Sequence, residues 1–251
     1  FVSSPSCTPS RMAIATGQWH WRLREAQNLG GSLAKNIPTY SDLLAGAGYH
    51  VGFNRKGAAP SKHTYRGTDP LGQHFKNFES FLAERKKGTP FCFWYGSGAP
   101  HRPYVLNSGK AAGLKPECIT LPPGLPDHPN VRNDLLDYYV AVQLFDHEAA
   151  DILARLEKEG EFENTLIVMT GDNGMPFPRA KATLYDTGTR VPLVICWGKQ
   201  IKAGRKVNDF VSLCDLAPTF LEAAGIRVPK VMTGRSLFPQ LKPKRLGQIE
   251  K

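Results

Sequence analysis

The sequence predicts an α/β fold of three layers, with helices on both faces of a mainly parallel, mixed central sheet. Short aromatic or β-branched runs alternate with amphipathic stretches along the chain, which is typical of parallel strands joined by helical crossovers. The 251 residues are 41% hydrophobic and 10% aromatic, enough for one sizeable core. We therefore expect a single domain over residues 1–251.

The first predicted helix covers residues 12–16, close to the start of the chain. Pro9 suits the first turn of a helix and Gly17 its C-terminal cap. Cys7 should then lie just ahead of the helix N-terminus, where free backbone N–H groups and the helix dipole favour an anionic group. Arg11, about one turn later, adds a cation that can hydrogen-bond whatever Cys7 carries. The alternative is a half-buried cysteine before an ordinary helix.

Hydrophobic periodicity predicts the remaining elements. Helices are predicted over residues 39–47, 75–86, 134–156 and 210–224. Strands are predicted over residues 49–53, 91–95, 165–170 and 191–197, and residues 1–2 are predicted to end another strand. Residues 57–74 and 103–129 are rich in turn-forming residues and are predicted loops, the second long enough to suggest a functional role.

Polar residues follow three of the predicted strands. Lys56 follows the first, His101 the second and Asp172-Asn173 the third. Ligands of parallel α/β sheets bind beyond the carboxyl ends of the strands, so these residues are expected to converge. Taken singly, Lys56 is better explained as a solvated lysine, and His101, flanked by Pro100 and Pro103, as a loop histidine than as an acid or base.

Asp172 and Asn173 place a carboxylate beside a neutral amide oxygen. Such hard oxygen ligands suit calcium or magnesium better than zinc. The alternative is an Asx turn, because Gly-Asp-Asn-Gly is also good turn chemistry. Lys181 and Arg190 lie in the following segment, where their charges are suited to a tetrahedral oxyanion.

Charge and cysteine content restrict the class of protein. Lys and Arg number 32 against 22 Asp and Glu, a formal charge of +10 that favours polyanionic partners or a merely solvated basic surface. No recognised nucleic-acid motif accompanies this charge, and no run approaches the roughly 18 apolar residues of a membrane span. The five cysteines lack C-x-x-C spacing, which argues against a zinc ribbon or a dense disulfide framework and fits one cysteine with a special role.

The run Cys7-Thr8-Pro9-Ser10-Arg11 resembles the C-x-P-x-R signature of the sulfatases, within the alkaline-phosphatase-like superfamily. Similar segments follow in the family's order: Lys56, Ala99-Pro100-His101, Gly171-Asp172-Asn173-Gly174, and residues 181–192 with Lys181 and Arg190. Pro176-Phe177-Pro178 and the segments at residues 212–219 and 233–237 resemble the branch that includes heparan N-sulfatases.

The resemblance implies a hydrolase of sulfuric esters or N-sulfates on a sulfated carbohydrate. It implies that a formylglycine-generating enzyme oxidises Cys7 to formylglycine, and that the site holds Ca²⁺. The implied catalytic residues are Cys7, Arg11, Lys56, His101 and Lys181; the implied substrate-binding residues are Lys56, His101, Lys181 and Arg190; the implied metal ligands are Asp172, Asn173 and Cys7.

The implied reaction begins with attack on sulfur by the hydrated aldehyde at position 7. Calcium and Lys181 neutralise the sulfate oxygens, and His101 or Lys181 assists the leaving group. Elimination then expels sulfate and regenerates the aldehyde.

The sequence departs from the family pattern in three places. Sulfatases carry paired aspartates on a first strand upstream of the cysteine motif and a smaller C-terminal subdomain, and we expect both to be missing from residues 1–251. A histidine common two residues after the early lysine is replaced by Ala58. A periplasmic or secreted location is expected if a signal peptide precedes Phe1. Two alternatives are a phosphoester or phosphonate hydrolase of the same superfamily and a catalytically incomplete polyanion-binding fragment.

Overall fold

The computed structural model describes residues 1–241, without the side chain of Lys199. Its strands are β1 (His50–Arg55), β2 (Gln73–His74), β3 (Phe91–Gly96), β4 (Ile167–Thr170) and β5 (Leu193–Cys196). Its α-helices are α1 (Cys7–Thr16), α2 (Tyr40–Gly46), α3 (Phe78–Glu84), α4 (Ser108–Ala111), α5 (Pro129–Lys158), α6 (Asp186–Thr189), α7 (Leu216–Ala223) and α8 (Phe238–Leu241). Short 3₁₀ helices cover His20–Arg22, Arg24–Gln27, Pro116–Cys118, Phe162–Asn164, Gly198–Gln200 and Leu213–Asp215.

Helix α1 begins earlier than the sequence predicted. Cys7 is its first residue instead of preceding it, and Ser6 is the extended N-cap. The first turn accepts Thr8 and Pro9 because its N–H groups have no intrahelical partner in any case. Gly17 ends the helix in the left-handed conformation, as predicted.

Helix α5 is also longer than predicted. Pro129 occupies its first turn, and the His128 side chain accepts a hydrogen bond from the Asn130 N–H, so the helix starts five residues before the predicted residue 134. Capping chemistry set this boundary, whereas the prediction followed the apolar stripe alone.

Although α5 is the longest helix described, neither it nor any other helix within residues 1–241 is apolar over a length that would span a bilayer.

Two other predicted helices are shorter at their starts. Residues 75–77 continue from β2 and end at Asn77, which caps α3. The predicted helix over residues 210–224 begins with a 3₁₀ turn at Leu213–Asp215 and becomes α7 at Leu216. In both cases a capping box fixes the first helical residue.

The described strands form two sheets. Strands β2, β1 and β3 are parallel in that order, with His50 opposite Phe91 and Arg55 opposite Gly96. Strands β4 and β5 form an antiparallel pair. The strand predicted at residues 1–2 is not part of either ladder. Its backbone bonds are isolated: Val2 N–H donates to the Thr189 carbonyl, Leu213 N–H to the Phe1 carbonyl and the Phe1 amino group to the Val211 carbonyl.

Helices cover both faces of these sheets. On one face Ile14 of α1, Leu44 of α2 and Leu221 of α7 are buried together against the strands. On the other face Phe81 of α3 and Leu156 of α5 form a second core. This is the predicted three-layer α/β/α arrangement.

A cavity of about 640 Å³ lies between β3 and β4. Within the described chain, β3 pairs only with β1 and β4 only with β5, so each presents one unpaired edge. The cavity walls include Ile14 and Leu44 on one face and Ile152 of α5 on the other. The slot is therefore bounded by two strand edges and two helical layers, which is the environment of a buried strand.

Candidate active site

The Cys7 side chain lies where two lysines converge. Its Sγ is 3.1 Å from Nζ of Lys56 and 3.4 Å from Nζ of Lys181. The thiol also lies 3.7 Å from Oδ1 of Asn173. Cys7 is only 4% exposed and both lysines are half-buried, so the three side chains meet at a largely buried position.

The backbone of Lys56 is fixed where β1 meets β3. Its N–H donates to the Gly96 carbonyl at 2.9 Å. Its own carbonyl accepts from Arg11 Nη1 at 2.7 Å and from the Trp94 indole at 3.1 Å. The lysine therefore leaves the sheet at a defined point, which aims its side chain at Cys7.

Lys181 is held by the turn that follows β4. Its N–H donates to the Met175 carbonyl at 3.1 Å. The next residue, Ala182, has a φ of 63° and donates its N–H to the Pro5 carbonyl at 2.8 Å. The loop that carries the second lysine is thus joined directly to the segment before Cys7.

Arg11 pairs with Asp172 rather than with Cys7. Its Nε lies 2.5 Å from Asp172 Oδ2, and the two side chains are 8% and 19% exposed. Arg11 Nη1 also donates to the carbonyls of Lys56 and Gly57 at 2.7 Å. The expected hydrogen bond to the group at position 7 is absent from the described structure, because this guanidinium braces the ends of β1 and β4.

The pKa of Asp172 is lowered from its ordinary value. Burial acts to raise this pKa, but the charge and hydrogen bond of Arg11 together with the charges of Lys56 and Lys181 outweigh it. Asp172 is therefore ionised at neutral pH. Three cations surround one carboxylate, and this excess of positive charge suits a tetrahedral oxyanion.

Comparison with known proteins places this geometry in a family. The sulfatase family model matches residues 1–226. The chain belongs to the sulfatase family. The matched region contains Cys7, both lysines and the Asp172-Asn173 pair, so every member of the cluster lies within it.

Individual relatives agree with this assignment. The chain is 34% identical to human N-sulphoglucosamine sulphohydrolase over 98% of its own length and 59% of that protein. It is 27% identical to an ulvan-active sulfatase of Formosa agariphila over 99% of its length and 49% of that protein. The chain thus spans about half the length of the curated relatives it matches.

Solved structures share the fold of this chain. A protein solved in complex with its substrate D-glucosamine-2-N,6-O-disulfate has a TM-score of 0.73 and 21% identity, over 96% of this chain and 71% of that one. The phosphonate monoester hydrolase of Agrobacterium radiobacter has a TM-score of 0.77 and 16% identity, over 97% of this chain and 70% of that one. At these identities the likeness concerns the fold.

Two predicted residues lie away from the lysine pair. His101 is exposed, and its Nδ1 pairs with the Arg102 carbonyl at 2.5 Å. Arg190 is 72% exposed and lies 3.6 Å from Asp186 in an i, i+4 ion pair. Within the described residues of this sulfatase, neither side chain makes a hydrogen bond to Cys7, Lys56 or Lys181.

Trp94 is a member of the site that sequence reasoning missed. Its indole donates to the Lys56 carbonyl, and the guanidinium carbon of Arg11 lies 5.6 Å from its ring centroid. The sequence did contain a signal for this contact. Trp94 lies in a predicted buried strand, and a buried indole N–H needs a hydrogen-bond acceptor.

The metal donors fit calcium in kind but not in number. Asp172 and Asn173 supply a carboxylate and an amide oxygen, and Ca²⁺ takes 6–8 such ligands. Asp172 is already paired with Arg11, and the Asn173 amide donates to the Gly174 carbonyl at 2.9 Å, which is local turn chemistry. No group of three or more His, Cys, Asp or Glu side chains is arranged for a metal within residues 1–241.

Proposed function

We propose that this sulfatase hydrolyses sulfate esters or N-sulfates of carbohydrates, with position 7 as the nucleophile after oxidation of Cys7 to formylglycine. The observation that carries the proposal is the placement of Cys7 Sγ 3.1 Å and 3.4 Å from two ammonium groups. A sulfate beside position 7 would contact both cations at once. The aldehyde at position 7, once hydrated, supplies the attacking hydroxyl.

Lys56 and Lys181 would bind the sulfate oxygens and orient the sulfur toward position 7. Because both amines are fixed before substrate arrives, they would stabilise the charge that develops on the transferred group. The S–O or S–N bond to the sugar breaks, and its electron pair requires a proton. Lys181, whose Nζ lies beside Cys7, is the proposed donor of that proton, and His101, which is exposed, is the alternative donor.

Asp172, Asn173 and position 7 would hold calcium, together with further oxygen ligands. When bound, the ion would neutralise charge on the sulfate. Because two oxygen donors do not make a complete calcium site, the roles of the lysines above are argued without it.

A sulfated saccharide is the proposed substrate, and a formylglycine-generating enzyme is the proposed modifying partner. The human relative's name and the glucosamine disulfate bound to the similar fold support the saccharide. The match of Cys7-Thr8-Pro9-Ser10-Arg11 to the family signature supports the modification.

Substrate comparison tests the proposal. The chain, co-produced with a formylglycine-generating enzyme, would be assayed on an aryl sulfate, an N-sulfated glucosamine and an aryl phosphate. We expect the sulfated compounds to turn over faster, and Lys56→Met and Lys181→Met each to lower kcat/KM by about 100-fold or more. Lys158→Met, at the exposed end of α5, is the matched control and should change nothing.

Other outcomes would identify the alternatives. Faster turnover of the aryl phosphate would indicate a phosphoester or phosphonate hydrolase. Binding of all three compounds without turnover would indicate a polyanion-binding fragment.

A further inference from the structure

Arg102 connects the two loops that carry His101 and Lys181. We propose that Arg102 is a positioning residue, which holds the His101 loop and the Lys181 loop in a fixed arrangement relative to each other. The inference rests on the proposed function, because it concerns the arrangement of the groups assigned there.

The Arg102 guanidinium contacts the Lys181 loop directly. Its Nε donates to the Pro176 carbonyl at 3.0 Å. Its central carbon lies 4.9 Å from the ring centroid of Phe177 and 4.7 Å from that of Tyr104. The planar cation thus contacts one aromatic ring from each loop, a use of arginine that lysine cannot reproduce.

Helix α5 provides the fixed reference for this contact. Asp134, in its first part, accepts from Arg102 Nη1 at 3.0 Å and from Nη2 at 2.5 Å. This two-pronged pairing fixes the plane of the guanidinium as well as its position. The remaining donor, Nε, is thereby directed at Pro176.

The contact is transmitted to both functional side chains over short distances. The Met175 carbonyl accepts hydrogen bonds from the N–H groups of Phe177 and Lys181 at 2.9 Å and 3.1 Å. The turn that Arg102 contacts therefore ends at Lys181. On the other side His101 precedes Arg102, and its Nδ1 pairs with the Arg102 carbonyl.

A purely stabilising role would not explain these contacts. The Arg102 and Asp134 side chains are 40% and 39% exposed. Exposed ion pairs contribute little to folding free energy. The consequence of removing Arg102 should therefore appear in the placement of the two loops rather than in global stability.

A matched pair of variants, Arg102→Met and Arg132→Met, tests the proposal. Arg132 also binds an aspartate through two nitrogens, Asp127 at 2.6 Å and 2.9 Å, and it also donates to backbone carbonyls. It contacts neither the His101 loop nor the Lys181 loop through any bond described within residues 1–241. The two readouts are amide hydrogen exchange over residues 97–104 and 175–181, and the Kd for inorganic sulfate from calorimetry.

We expect Arg102→Met to speed exchange about fivefold or more in both segments and to raise the sulfate Kd about tenfold, with an unchanged thermal midpoint. Arg132→Met should alter neither readout. Arg102→Lys should rescue little, since it keeps the charge but loses the planar fork.

Unchanged exchange in either segment of Arg102→Met overturns the proposal, as does an equal effect of Arg132→Met. If Arg102→Met does not fold, Asp134→Asn with Asp127→Asn as its control replaces the pair, with the same expectations. If the parent chain binds no sulfate, the proposed function fails on that result, while the exchange comparison still decides the role of Arg102.

Discussion

At the scale of single residues, the Arg11–Asp172 pair controls how the site tolerates mutation. Asp172→Ala would leave the Arg11 charge buried with only two carbonyl acceptors, so we expect it to lower the free energy of unfolding by about 3 kcal/mol and to abolish turnover. Asp172→Asn keeps a hydrogen-bond acceptor and should cost less. Urea denaturation and the aryl sulfate assay measure both effects.

Asp186→Ala is the control for this prediction. Asp186 forms an exposed pair with Arg190, and its loss should change stability by less than about 0.5 kcal/mol. Equal stability of Asp172→Ala and the parent would show that the buried pair does not brace the strand ends.

Cysteine reactivity offers a second residue-scale prediction. Burial raises the pKa of Cys92 to about 12 and that of Cys214 to about 11, so both remain thiols at pH 8. Cys118 is exposed. We expect iodoacetamide to label Cys118 first in the folded chain and Cys214, which is buried, only on unfolding, as read by peptide mass spectrometry. Labelling of Cys214 as fast as Cys118 would contradict the buried placement, and Cys118→Ser is the control.

Residue types and their order were sufficient to predict most of the side chains that surround Cys7. Lys56, Lys181 and Asn173 were predicted beside Cys7 from their positions after strands and from the family resemblance, and the structure places them there. The partner of Arg11 was not predictable, because Asp172 lies 161 residues away and only the fold brings the two together.

At the scale of elements, the close contact of β1 and β3 fixes Lys56. A Cβ added to Gly96 would lie 1.7 Å from the Lys56 carbonyl, so Gly96→Ala must push that backbone away. We expect a loss of about 2 kcal/mol in stability and a weaker affinity for sulfate. Two residues later Gly98 has open space around it, and Gly98→Ala is the control. Thermal unfolding and sulfate calorimetry on both variants decide whether this glycine serves the site.

The elements themselves were predicted well and their boundaries less well. Periodicity located β1, β3, β4, β5 and α5, since buried strands and a long amphipathic helix leave strong patterns. The start of α1 at Cys7 and of α5 at Pro129 depends on caps and first-turn geometry, which the apolar pattern does not contain. The antiparallel direction of β5 relative to β4 could not be predicted from the apolar pattern either, because it depends on the path of the loop between the two strands.

At the scale of the whole molecule, we interpret two features together. They are the slot between β3 and β4, and the three cations at its end (Arg11, Lys56 and Lys181), which surround one carboxylate, Asp172. Both strands end at the site, so a strand seated in the slot and parallel to β3 would bring its last residues beside Asp172. We predict that joining to the N-terminus a segment that supplies an apolar strand ending in paired aspartates raises sulfatase activity by orders of magnitude and strengthens calcium binding.

For residues 1–251 by themselves we expect slow turnover and binding of sulfate mainly through the charge of the three cations. We expect the sulfate Kd of the chain to rise with salt, and calcium binding to be weak. A control extension with asparagines in place of the aspartates should fill the slot and raise the thermal midpoint without restoring activity. Equal and high activity with and without the aspartates would show that the metal donors are assigned wrongly.

The modification of Cys7 tests the central claim most directly. The chain would be produced with a formylglycine-generating enzyme, and the tryptic peptide that carries position 7 would be weighed, with Cys7→Ala as control. The account predicts the mass loss that accompanies conversion of a thiol to an aldehyde, together with turnover of an aryl sulfate that the control lacks. An unmodified thiol in a preparation that hydrolyses the sulfate would contradict it.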